Sequence, residues 1–221
     1  PETHKHINKK LTIAWSKSLS NIKKAAASPA LRTIFTAEFL FWGGFTFFTT
    51  FFQILLIEKL GFKVNNVGDF FAYIGIWIAI TQAVITPILA KRFTNQQVLK
   101  VSLLGMSFAL LIQIIPQNTT QLLMLAPFIA LFNGMVMANV SALVSLTAGP
   151  ENQGEVLGIE ASVQALGQAI PAIIAGYVAT MGVNMPIIVG ASLIFVGWLI
   201  FTFLYKAPVE VVQRESAALA H

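Results

Sequence analysis

The sequence contains no cysteine and has few charged residues. Without cysteine, the chain has no disulfide and no thiolate to serve as a metal ligand or nucleophile. Charged residues make up 10% of the chain, whereas soluble domains usually contain about 25%. So few charges cannot cover a water-exposed surface. The composition therefore excludes an ordinary soluble domain.

Long apolar runs occupy most of the chain, which is 56% hydrophobic with a mean hydropathy of +0.75. A helix needs about 20 apolar residues to cross a bilayer core of roughly 30 Å. Six such runs are Thr33–Ile57, Gly68–Ala90, Val98–Ile115, Gln121–Ala148, Gly158–Thr180 and Met185–Tyr205. Each is apolar all round, as expected of a helix embedded in lipid. The sequence predicts an all-α integral membrane protein with a bundle of six transmembrane helices.

The runs divide the chain into three parts: a basic linker at residues 1–31, a membrane domain at 32–206 and a tail at 207–221. Four apolar residues recur at helical spacing in the linker, namely Trp15, Leu19, Ile22 and Ala26. Lysines lie between them, which predicts either an amphipathic helix on an anionic membrane surface or a flexible basic linker. The chain begins with Pro1 and has no signal peptide, so we expect it to be part of a longer product.

The basic residues are distributed asymmetrically across the predicted membrane. Six spans place both termini on one side, and every Lys and Arg except Lys59 and Lys63 lies on that side. The positive-inside rule predicts that both termini are cytoplasmic, with the protein in the cell inner (plasma) membrane. Because the basic residues lie between apolar runs and in the linker, their placement favours membrane topology over nucleic-acid binding.

Polar and small residues inside four of the runs fall on single helix faces, at about 100° per residue. The faces are Glu38, Trp42, Thr46, Thr49 and Gln53 in the first run; Gly68, Gly75, Ala79, Gln82 and Thr86 in the second; Asn133, Met137 and Ser141 in the fourth; and Glu160, Gln164, Gly167, Gln168 and Pro171 in the fifth. Polar groups are costly in hydrocarbon, so these faces must meet protein or water. They predict a water-accessible pathway.

Two intramembrane carboxylates are candidates for proton coupling. Glu38 is predicted to bind a proton or to pair with a cationic substrate, since an ionisable residue within a membrane helix usually has a function. The alternative interpretation of Glu38 is a carboxylate near the membrane interface that snorkels towards water or pairs with Arg32 or a linker lysine. Glu160 is the second candidate. Its alternative is a carboxylate at a helix start, where the helix dipole favours negative charge.

The substrate-pathway candidates are Trp42, Thr46, Thr49, Gln53, Gln82, Asn133, Met137, Gln164 and Gln168. Their polar groups could hydrogen-bond a substrate or bridge helices. No metal site is predicted, because His4 and His6 have no third ligand nearby. Neither a cofactor nor an enzyme is expected, because the sequence shows no nucleophile–base pair and no phosphate-binding glycine loop.

Several stretches resemble a known transporter family. Thr86-Pro-Ile-Leu-Ala-Lys-Arg-Phe93 is similar to the basic loop between helices eight and nine of the major facilitator superfamily, with Lys91 where the family has Asp. Pro1-Glu-Thr3 resembles the end of the sixth helix in its drug/proton antiporters. Gln153-Gly154 with Gly158, followed by Leu166-Gly-Gln-Ala-Ile-Pro171, resembles the loop between helices ten and eleven, and helix eleven, of tetracycline-resistance-type antiporters.

The resemblance implies that the six helices are helices seven to twelve of a twelve-helix fold with 3+3 inverted repeats. The expected partners are the N-terminal six-helix half, the lipid bilayer, protons and a small-molecule substrate. The leading function is proton-coupled efflux of small amphipathic or drug-like molecules. The alternatives are proton-coupled nutrient uptake and a non-transporting assembly subunit. Lys91 and Arg92 are predicted to set topology and, as a second role, to latch one conformation.

Overall fold

The described part of the chain is helical. In the computed structural model it comprises residues 28–179, 182 and 184–219. The elements are α1 (Pro29–Leu60), α2 (Val64–Ile80), a π-helical segment (Thr81–Ile85), α3 (Thr86–Ala90), α4 (Asn95–Ile112), α5 (Thr119–Ala148), α6 (Gln153–Ala179), α7 (Met185–Leu204) and α8 (Val209–Leu219). The predicted amphipathic helix of the linker lies outside the described residues.

Five helices of the described part are long and apolar enough to cross a membrane. They are Pro29–Leu60, Asn65–Ala90, Asn95–Ile112, Thr119–Ala148 and Met185–Leu204. The remaining predicted span, Gly158–Thr180, corresponds to α6, whose 27 residues give a length of about 40 Å at 1.5 Å per residue. The prediction of an all-α membrane bundle is confirmed.

Polar caps place several helix ends outside the predicted apolar runs. Ser28 caps α1, because its hydroxyl accepts a hydrogen bond from the Leu31 backbone N–H at 3.4 Å. Thr94 forms a capping box with Gln97 at the start of α4. At the other end of α1, Gly61 adopts a left-handed conformation with φ of 66°, which glycine tolerates without steric cost. Hydropathy alone finds the membrane-embedded length of a helix but misses these polar ends.

The second span contains a feature that the apolar pattern did not predict. Its backbone changes to π-helical geometry between Thr81 and Ile85 and then resumes as α3. Thr81 is buried there, and its side chain lies so close to Gly134 of α5 that a Cβ on that glycine would be 3.0 Å from Thr81 Cγ2. Single π turns within α-helices frequently occur at functional sites.

Helix α1 packs most extensively against α7 and α6. Helix α4 packs against α5 and α7, while α2 packs mainly against α5. At the α1–α7 contact, the two backbones approach so closely that a Cβ on Gly44 would be 2.6 Å from Ile194 Cγ1. Small residues at such contacts let membrane helices gain van der Waals packing.

The tail contains a helix that the sequence analysis did not anticipate. Helix α8 buries Val211 and Glu215, and Glu215 Oε1 accepts a hydrogen bond of 2.9 Å from the Asn95 backbone N–H at the start of α4. A carboxylate at this position stabilises a helix N-terminus. The tail and the loop at residues 91–94 therefore lie at the same end of the bundle.

Candidate functional site: two carboxylates at one buried cavity

Glu38 of α1 and Glu160 of α6 face the same small cavity inside the bundle. Their side chains are 3% and 8% exposed, and both residues line this cavity. The cavity has a volume of about 50 Å³ and is lined by Glu38, Phe41, Trp42, Val136, Met137, Val140, Ser141, Glu160 and Gln164. Three helices that are separated in the sequence, α1, α5 and α6, thus meet at one polar site.

The two carboxylates lie at similar depths in the bundle. Helices α1 and α6 start at the same end of the bundle, at Pro29 and Gln153. Glu38 and Glu160 are nine and seven residues further along, which corresponds to about 14 Å and 10 Å. The interpretation of Glu160 as a helix-start carboxylate was wrong, because α6 begins earlier than predicted and Glu155 occupies its first turn.

One oxygen of each carboxylate has no partner. Ser141 of α5 donates a hydrogen bond of 2.5 Å to Glu160 Oε1. The other oxygen of Glu160, Oε2, and Oε2 of Glu38 are buried with no hydrogen-bond partner among the described residues. Leaving such groups unpaired costs free energy, so they are expected to take a further partner, such as a proton or a cation.

Arg32 is not the partner of the Glu38 carboxylate in the structure. Its side chain is exposed and lines a different groove together with Phe35 and Phe39. The linker lysines, which were the other predicted partners of Glu38, lie outside the described residues. A surface ion pair with Arg32 therefore does not explain why Glu38 is buried.

Aromatic and apolar side chains form much of the cavity wall. The rings of Phe41 and Trp42 meet edge to face with their centroids 5.5 Å apart, and Phe45 extends the cluster at 6.0 Å from Trp42. Met137 contributes a polarisable thioether from α5. The site thus combines two acids and one amide, from Gln164, with a soft apolar surface.

Three of the predicted pathway residues lie further along α1. Thr49 Oγ1 donates to the Thr46 carbonyl oxygen at 3.3 Å, and Gln53 Nε2 donates to the Thr50 carbonyl oxygen at 3.2 Å. Thr46, Thr49 and Gln53 are absent from the cavity lining. They share a helix face with Glu38, but the side chains of Thr49 and Gln53 donate to the backbone of their own helix.

The remaining predicted residues do not line the cavity. Gln82, in the π-helical segment, places Nε2 4.0 Å from Met137 Sδ, which is a weak hydrogen bond. Asn133 is buried, and its Nδ2 has no partner among the described residues. Gln168 is exposed, one turn beyond Gln164. Lys91 and Arg92 are exposed in the loop after α3.

Four residues of the cavity lining were not among the predicted pathway candidates: Phe41, Val136, Val140 and Ser141. Only Ser141 carried a detectable signal, because it follows Met137 by one helical turn and was placed on the same face. The apolar residues carried none, since similar residues fill every span. Among the described residues, no group of three or more His, Asp or Glu could hold a metal ion; His4 and His6 lie outside that part.

Comparison with known proteins agrees with this architecture. A family model described as Major Facilitator Superfamily matches residues 3–220. No curated protein sequence matches the chain.

Proposed function

Since the chain belongs to the Major Facilitator Superfamily, whose members are membrane transporters rather than enzymes, we propose that it couples proton entry to the efflux of small amphipathic or drug-like molecules. On this proposal it supplies the carboxyl-terminal half of a twelve-helix transporter. The N-terminal half supplies the opposite wall of the pathway, and the termini are cytoplasmic.

The paired carboxylates carry the proposal. Two carboxylates that face one small cavity repel each other when both are ionised, and a shared proton removes that repulsion. A cationic group placed between them removes it equally well. Proton and cationic substrate therefore compete for Glu38 and Glu160, and such competition is the simplest way to couple their opposite movements.

The cavity wall supports an amphipathic cation as the substrate class. Trp42 and Phe41 offer ring faces that attract a cation and apolar surface that accepts its hydrophobic part. Gln164 adds an amide that could orient a polar substituent. The combination of acid, aromatic and thioether groups suits a lipophilic cation better than a strongly hydrated sugar or amino acid, which needs many directed hydrogen bonds.

The small volume of the cavity supports the proposal that helices of the N-terminal half complete the substrate site. Its volume of about 50 Å³ is well below the 300–1,000 Å³ typical of sites for drug-sized ligands. The described helices therefore hold the proton-binding groups and one side of the substrate. The remaining volume is proposed to lie between this bundle and the other half, as in transporters that place substrates at the interface of two repeats.

The proposal is tested by reconstituting the complete protein in lipid vesicles that contain a pH-sensitive dye. An imposed pH gradient should drive ethidium against its concentration gradient, and protons should flow in the opposite direction. Ethidium and protons moving in the same direction would instead indicate a symporter. Glu38→Gln should abolish the coupled proton flux, whereas Glu58→Gln should retain it because Glu58 is exposed near the far end of the same helix. Unchanged coupling in Glu38→Gln would contradict the proposal.

A further inference from the structure

A second concave surface lies on the opposite side of α5 from the carboxylate cavity. We call it the α3–α4 groove. It has a volume of about 180 Å³ and is lined by Leu89, Phe93, Gln97, Val98, Val101 and Met135. Only Gln97 in this set is polar, so the groove offers an apolar surface near one end of the membrane-spanning helices.

The groove opens towards lipid rather than towards the carboxylates. Met135 lines the groove and Met137 lines the carboxylate cavity; two residues apart on α5, they point about 200° apart. Phe93 and Val101, on the rim, are 47% and 62% exposed. Val101 lies within the membrane-spanning helix α4, where an exposed apolar side chain meets acyl chains.

Positive charge surrounds the end of the groove. Lys91 and Arg92 immediately precede Phe93 and are exposed, while Lys100 is half-buried beside Val101. Residues 70–150, which contain the whole groove, include no acidic residue. Glu215 of α8 lies at the start of α4, where its Oε1 is already engaged by the Asn95 backbone N–H.

An apolar groove with basic side chains at its membrane-interface end matches the chemistry of one kind of molecule. We propose that the α3–α4 groove binds an anionic phospholipid of the surrounding bilayer. One acyl chain lies along Val98, Val101 and Met135, and the phosphate meets Lys91 and Arg92. An arginine guanidinium can donate two parallel hydrogen bonds to a phosphate, and basic side chains at the interface attract anionic lipids. This site is independent of the proposed transport reaction.

Native mass spectrometry of the complete protein, titrated with phosphatidylglycerol or phosphatidylcholine, tests the proposal. The wild type should retain phosphatidylglycerol with higher affinity than phosphatidylcholine. Replacing both Lys91→Gln and Arg92→Gln should weaken phosphatidylglycerol binding about thirtyfold, since each basic side chain near an anionic lipid contributes roughly fivefold. Equal retention of the two lipids by the wild type would overturn the proposal.

Two control variants distinguish specific lipid binding in the groove from nonspecific electrostatic attraction to the protein. The double variant Lys63→Gln with Lys206→Gln removes the same charge from exposed positions and should change binding less than threefold. Val101→Trp fills the groove without removing charge and should also weaken phosphatidylglycerol binding, whereas Phe203→Trp, at a position 72% exposed on α7, should not. The proposal would be overturned if the Lys63/Lys206 variant lost phosphatidylglycerol binding as much as the Lys91/Arg92 variant. Normal binding by Val101→Trp would also overturn it.

Discussion

Gly167 tests how closely α1 and α6 must approach to bring the carboxylates together. It lies on α6 one turn beyond Gln164, facing α1. A Cβ at this position would be 2.9 Å from the Cβ of Trp42 and 3.0 Å from the carbonyl oxygen of Phe39. The first distance is shorter than the 3.5–4.0 Å optimum for non-bonded carbon atoms, and the second is also tighter than an ordinary van der Waals contact. Because neither neighbour is the flexible end of a side chain, Gly167→Ala must push α6 away from α1.

The expected cost follows from two opposing terms. Overpacking of a close contact costs about 1–3 kcal/mol, whereas alanine is favoured over glycine within a helix by roughly 0.5–1 kcal/mol. Gly167→Ala should therefore destabilise the protein by up to about 2.5 kcal/mol. The same displacement should move Glu160 and Gln164 away from α1, which would weaken coupled transport more than the loss of folded protein explains.

Gly43 provides the matched control at the same helix contact. A Cβ on Gly43 would be 3.6 Å from Pro171 Cγ and 3.8 Å from the Gly167 carbonyl oxygen, which are ordinary contacts. Gly43→Ala should therefore keep or slightly raise the thermal unfolding temperature in detergent and should transport normally in vesicles. If Gly167→Ala matched Gly43→Ala in both assays, close α1–α6 packing would not be what holds the site together.

Three further changes test contacts elsewhere in the bundle. Gly44→Ala should lower thermal stability by about 1–3 kcal/mol, because its Cβ would collide with the Gly190 carbonyl oxygen of α7; stability equal to that of wild type would contradict this. Ser107→Ala should cost about 1 kcal/mol in the same assay through loss of a buried hydrogen bond of 2.9 Å to an α7 carbonyl oxygen. Glu215→Ala should release α8 from Asn95 and speed proteolysis of the tail, whereas unchanged cleavage would show that α8 docks without this contact.

The helices were predictable because membrane thickness imposes a length on apolar runs. The predicted second span, Gly68–Ala90, and fourth span, Gln121–Ala148, differ from the observed helices by only a few residues at their starts. Their polar first turns lie outside the apolar core, so hydropathy does not detect them. The π-helical geometry at Thr81–Ile85, where Thr81 packs against Gly134 of α5, has no counterpart in the apolar pattern.

The sequence predicted on which helix face each site residue lies, but not how far along the helix axis it lies. Helical periodicity placed Glu38, Trp42 and Gln53 on one face, yet only the first two reach the cavity. Which residues meet across helices depends on how far along each helix they lie, and single-helix periodicity carries no such information. The position of Glu160 shows the same limit, because its depth changed once the helix was found to begin at Gln153.

Competition between a proton and a cation at the two carboxylates is the central claim. The most direct measurement adds tetraphenylphosphonium to the complete, purified protein in weakly buffered detergent solution and follows released protons with a pH indicator. The wild type and the Glu58→Gln control should release protons as the cation binds, while Glu38→Gln should release fewer or none. Cation binding without proton release, or the same release from Glu38→Gln as from wild type, would contradict the account.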